Sequence, residues 1–83
     1  SENEKENVYE IDLKKDRYKL INKELDFTII EILNEDNIIN FLNINDEQYR
    51  LNEEIFAIGS GHNKKTAEQD AAEKLLSLME NKL

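Results

Sequence analysis

From Ala67 onward, Ala67, Ala71, Ala72, Leu75, Leu76, Leu78 and Met79 recur at spacings of three and four. A helix brings residues at that spacing onto one side, so the stretch predicts about five helical turns with one wide apolar face. Its start is well marked. Asn63 can cap the helix, and Thr66 with Gln69 offers a competing capping box three residues further in.

Lys64 and Lys65 fall in the first turn of that helix. A helix N-terminus is already positive, so a cation there costs roughly 0.3–1 kcal/mol where an acid would gain as much. The chain has 19 acidic residues and places none of them at this point. Holding an anion, most simply a phosphate, accounts for the lysines; two solvated surface lysines is the plainer alternative. Gly59 and Gly61 are the only glycines, and both precede the helix. They suggest a backbone that leaves a strand, adopts positive φ and approaches a ligand closely. A dinucleotide fingerprint needs a third glycine where Lys64 stands, and no Gly-Lys-Ser/Thr of a P-loop is present, which argues against a nucleotide-binding enzyme.

The run Gly59-Ser60-Gly61-His62-Asn63-Lys64-Lys65-Thr66-Ala67-Glu68-Gln69-Asp70-Ala71-Ala72, followed by Leu75, Leu76 and Leu78, resembles the C-terminal half of the double-stranded RNA-binding domain (dsRBD). That family carries a last strand, then G-x-G-x-S-K-K-x-A, then a helix with paired alanines and a leucine-rich end. The Ala-Glu-Gln form is most similar to copies attached to ribonuclease III-type enzymes. Asn63 replaces the usual serine, and both residues cap. The resemblance implies an α+β fold in α-β-β-β-α order, a three-stranded antiparallel sheet with both helices on one face.

Eighty-three residues make one small domain, expected over 9–83 after an acidic, flexible lead-in over 1–8. The missing initiator Met favours a piece of a longer protein. No cysteine is present, so neither a disulfide nor a thiolate metal site is available, which fits an intracellular setting. No apolar run reaches membrane-spanning length. The net charge of −8 argues against general nucleic-acid binding, but the basic residues cluster. Lys14, Lys15, Arg17, Lys19 and Lys23 form one group, and Lys64 with Lys65 the other.

Tyr9 to Leu13 alternates like a short strand, yet Ile11, Tyr18, Ile21 and Leu25 also share a helical face. Lys15, Lys19 and Lys23 recur every four residues on another, and a helix over Asp12 to Glu24 is the preferred reading. Phe27 to Leu33, rich in β-branched residues, reads as a first strand closed by the turn Asn34-Glu35-Asp36-Asn37. Ile38 to Ile44 reads as a second strand, Asn45 to Asn52 as a loop and Glu54 to Ile58 as a third strand. The family's Gly-Pro-x-His segment between its first two strands is absent here, which places its second minor-groove contact in doubt.

The resemblance implies duplex RNA as partner, recognised by shape, phosphates and 2′-hydroxyls over about 16 base pairs without strong sequence specificity. Lys64 and Lys65 would bridge phosphates, with Gly61, His62 and Asn63 supplying donors beside them. Lys15, Lys19 and Lys23 are candidates for a first-helix contact, a solvated outer face being the alternative. One histidine and no cysteine leave no catalytic constellation, and neither a metal nor a cofactor is expected. The domain would serve RNA processing as part of a larger ribonuclease III-like protein. The alternative is a degenerate module for protein pairing or homodimerisation, and an unrelated acidic α+β domain is the third possibility.

Overall fold

The structure is a computed structural model that describes residues 6–40 and 55–82. Chain order runs β1 (Asn7–Asp12), α1 (Arg17–Ile21), α2 (Phe27–Leu33), α3 (described over 35–40), β2 (Phe56–Gly61) and α4 (Lys64–Lys82). The fold is α+β. β1 and β2 pair antiparallel from Asn7 opposite Gly61 to Asp12 opposite Phe56. Leu13 N–H donating to Ile55 O at 2.8 Å carries the pairing one step further. Side chains alternate across the sheet. Ile11, Leu13, Ile55 and Ala57 are buried on the inner face, while Val8, Phe56 and Ile58 stand exposed on the other.

α4 covers the inner face with Ala67, Ala71, Ala72, Leu75 and Met79, all buried. Its small residues are matched to the glycines below. A Cβ on Gly59 would lie 2.1 Å from Ala71 N and 2.4 Å from Ala67 O. A Cβ on Gly61 would lie 2.6 Å from the Thr66 side chain. Neither glycine has positive φ. The expectation of left-handed backbone is therefore corrected: these glycines serve the close approach of β2 to α4. Asp70 fastens the same contact, accepting from Ser60 N–H at 3.0 Å and from Lys74 Nζ at 2.9 Å.

The expected helix over Asp12 to Glu24 is mostly not formed. Asp12 ends β1, and its Oδ1 accepts from Lys14 N–H (3.0 Å) and Lys15 N–H (3.2 Å). Asp16 Oδ2 accepts from Asp12 N–H at 3.0 Å. Aspartates thus build the turn that glycine or asparagine usually builds, and the alternation of Tyr9 to Leu13 is that of a strand. The strand begins at Asn7, inside the span expected to be a lead-in. α1 closes with Lys23 N–H donating to Leu20 O and Glu24 N–H to Lys19 O, a Schellman pattern. Lys23, at φ 56°, holds the left-handed position that glycine usually takes there.

Phe27 to Leu33 forms α2 instead of a strand. Alternation would put Glu31 on the face of Ile29 and Leu33. A helix keeps those two together, four residues apart, and turns Glu31 to solvent. Ile29 and Leu33 are fully buried, and α2 packs against α4. Burial of such a side chain contributes about 1.5–3 kcal/mol, ample to override a β propensity that spans about 1 kcal/mol.

The expected break after Leu33 is present at Asn34, with φ 70°, whose Oδ1 accepts from Asp36 N–H at 2.9 Å. α3 follows, so residues 38–40 are helical where a strand was expected. The remainder of that strand (41–44), the loop over 45–52 and Glu54 lie outside the described residues. Among the described residues the sheet therefore has two strands, and the expected α-β-β-β-α order is not reproduced across Phe27 to Leu33. The expectations at the other end hold. β2 buries Ala57 and exposes Phe56 and Ile58, and α4 runs for 19 residues.

Gly59→Ala tests the helix–strand contact, because backbone atoms rather than movable side chains fill the space. Overpacking of this kind costs about 3 kcal/mol, near the top of the usual range. Urea denaturation of the variant should show a loss of that order, and a loss under about 0.5 kcal/mol would contradict the packing described.

Candidate nucleic-acid interface

The end of β2 delivers Gly61, His62 and Asn63 directly into α4. Asn63 is the N-cap: its Oδ1 accepts from Thr66 N–H at 2.8 Å and from Thr66 Oγ1 at 2.9 Å. Thr66 is thus drawn into the first turn, and its competing capping box is not used. The cap leaves the Asn63 amide exposed beside His62, whose carbonyl accepts from Asn7 Nδ2 at 3.1 Å. Lys64 and Lys65 occupy the first two helical positions, where backbone N–H groups lack intrahelical acceptors. Both lysines are exposed, and no acid shares the first turn. The five consecutive residues Gly61 to Lys65 therefore form one exposed or half-exposed edge with a net positive end.

Beneath that edge lies a pair of carboxylates that sequence reasoning missed. Glu68, one turn beyond Lys64, is only 3% exposed, and its carboxyl group is hydrogen-bonded with Asp26 at the start of α2. Lys64 Nζ stands 3.9 Å from Asp26 Oδ2 and 4.0 Å from Glu68 Oε1. Burial, then the hydrogen bond and charge of Asp26, hold the Glu68 carboxyl above the usual carboxylate range, while Lys64 partly offsets them. Burial also raises the Tyr9 hydroxyl, with Glu68, Asp26 and Asp16 adding to it. The available signal was spacing: Lys64, Glu68, Ala72, Leu75 and Met79 follow one helical stripe, so Glu68 points inward with the alanines.

The other basic candidates do not assemble as expected. Lys15 lies in the β1–α1 turn, Lys19 in α1, and Lys23 beyond its end, paired with Glu35 at 2.9 Å. A stripe every four residues needs one continuous helix, and the turn at Asp12 to Asp16 together with the left-handed Lys23 prevents it. The three lysines are exposed but share no helix face. Asn34 alone joins α2 to α3, and Glu35 to Asn37 are already helical, so this connection differs from the family's strand–strand segment.

Residues 45–79 match the family model of the double-stranded RNA binding motif. No curated protein and no solved structure is significantly similar to the chain. The match takes in β2, the Gly61 to Lys65 edge and α4 as far as Met79, and it supports double-stranded RNA as the partner of the motif. The run through which the chain resembles the family lies within the matched span. The elements that depart from α-β-β-β-α order, β1 to α3, lie ahead of it. No helix among the described residues is long and apolar enough to cross a membrane.

The carboxyl pair has a pH signature. A group whose folded-state value is raised above its unfolded one, here 4.5, stabilises the fold below that pH. The contribution is lost as pH rises through the folded value. Relative to Glu68→Gln, the wild-type protein should therefore lose stability as pH rises above 4.5. Thermal melts of the two proteins at several pH values measure the difference, and parallel curves would contradict the burial of an ionisable Glu68.

Proposed function

We propose that this chain binds double-stranded RNA through the first turn of α4, by shape and phosphate contact and without strong sequence specificity. The observation that carries the reading is the lysine pair. An anionic chain keeps Lys64 and Lys65 exposed on the positive end of a 19-residue helix, within the span that matches the RNA-binding motif. In A-form RNA the bases are hard to read from the narrow major groove, while phosphates line its edges. Two ammonium groups and the adjoining backbone N–H groups are suited to that target. Gly61, His62 and Asn63 are proposed as neighbouring contacts. Lys15, Lys19 and Lys23 are assigned a lesser part, since no helix face joins them.

The same reading places the chain as the RNA-binding module of a larger intracellular ribonuclease III/Dicer-like or RNA-processing protein. Support comes from the Ala67-Glu68-Gln69 form of the motif. In this proposal the module binds and any bond cleavage is carried out by residues elsewhere.

Lys64→Ala with Lys65→Ala should leave far-ultraviolet circular dichroism unchanged, because both side chains are exposed and alanine favours helix. Fluorescence anisotropy with a 20–30 base-pair duplex should show affinity reduced at least about tenfold. The slope of log affinity against log salt should flatten by about one to two, as expected for two lost phosphate contacts. Unchanged binding would remove the assigned role.

One observation favours a second reading, pairing of two copies. The outer sheet face carries Val8, Ile58 and Phe56 in a row, Val8 being 67% exposed. Val8 and Ile58 are diagonal neighbours in the strand register, close enough to form one apolar patch. Sedimentation equilibrium should then give a dimer that Phe56→Ser weakens at least about fivefold, the factor that corresponds to about 1 kcal/mol of apolar burial. A monomer at 100 μM or so would dismiss this reading.

A further inference from the structure

A chain with net charge −8 has few cations to offer a phosphate backbone, yet Lys64 already faces two carboxylates of its own protein. One of them, Glu68, is 3% exposed, so water screens it poorly. The other, Asp26, is exposed and comes from α2, which packs against α4. The Lys64 side chain remains 73% exposed, and its ammonium does not close tightly on either oxygen. Its position is that of a cation shared between an internal anion and whatever approaches from solvent.

We propose that Asp26 and Glu68 form a built-in competitor for the RNA phosphates at Lys64, so that duplex binding tightens when this carboxyl pair loses negative charge. The proposal rests on the RNA-binding reading of Lys64. Burial and the neighbouring Asp26 both resist a negative charge on Glu68. When both carboxyl groups are charged they hold Lys64 and repel a phosphate. When Glu68 is protonated, the ammonium is released to bind. The coupling is reciprocal: a phosphate seated at Lys64 favours the protonated pair, so RNA binding draws in a proton. The groups that face the pair are Lys64 from α4 and Tyr9 from β1, with Asp16 of the β1–α1 turn acting on Tyr9. His62 lies on the same binding edge and is replaced in the pH comparison.

The test measures duplex affinity by anisotropy at pH 7.5 and constant salt. Asp26→Asn and Glu68→Gln should each bind about two- to fivefold tighter than wild type, the effect of releasing a partly exposed ion pair. Glu80→Gln removes an equal charge near the far end of α4, about 24 Å along the helix from Lys64. That exceeds the screening length of about 8 Å at physiological salt, so its affinity should match wild type. In a His62→Gln background, lowering pH from 7.5 to 5.5 should strengthen binding, and adding Glu68→Gln should flatten the response. Circular dichroism checks folding, and Asp26→Asn at an exposed site guards against a fold defect in Glu68→Gln. If Lys64→Ala weakens binding but Asp26→Asn and Glu68→Gln do not strengthen it, the competitor is refuted and RNA binding stands. An equal gain from Glu80→Gln refutes it too. If neither wild type nor Lys64→Ala binds duplex, both readings fall.

Discussion

The contact of Gly59 with the Ala67–Ala71 turn of α4 sets the distance between helix and sheet, and the other buried side chains are sized to that distance. Backbone lies on backbone there, with no room for a single methyl group. Around that contact the core is filled by larger residues: Ile11 from β1, Leu13 just after it, Ile55 from the chain before β2, Leu75 and Met79 from α4. Small residues at the contact and larger ones beside it let a short strand pair sit closely under a long helix. Ile29 and Leu33 of α2, Leu20 of α1 and Ile38 of α3 then close the core.

The same contact explains how a weakly basic edge is presented firmly. Because β2 is pinned beneath α4, the two residues between them have little freedom. Asn63 is committed to the cap and the His62 carbonyl to Asn7. Lys64 and Lys65 therefore leave the helix from fixed points, and only their flexible stems adapt. A binding edge of this kind relies on placement more than on charge, which suits a chain whose overall field repels polyanions.

The C-terminal part of this architecture could be read from residues alone. Asn63 marks the helix start, and the three-and-four spacing outlasts any competing pattern, whereas the packing of Gly59 on Ala67 and Ala71 was read as left-handed backbone facing a ligand. The N-terminal part was misread for definite reasons. Phe27 to Leu33 is a short apolar run whose composition favours a strand, and the one residue that spoke for a helix was Glu31. Lysines at 15, 19 and 23 suggested a continuous helix, although alternation over Tyr9 to Leu13 was equally visible. The turn that separates them is made by Asp12 and Asp16, whose side chains cap backbone groups in a way composition does not reveal. The lysine pair of the candidate interface was legible because it is local. Its acidic counterpart was not, since Asp26 and Glu68 meet only when α2 has docked on α4.

β1 has a partner that arrives late. Asn7 stands opposite Gly61, so during ribosomal synthesis the first strand emerges long before the one that completes its ladder. At about 5–20 residues per second, roughly three to ten seconds separate the two. Throughout that interval Ile11 and Leu13 have no sheet to join, and the inner face of the strand is as available to a neighbouring nascent chain as to its own. The aspartates that bend the chain after β1, and the acidic Glu10 between its apolar residues, give the waiting segment a charge that discourages such encounters.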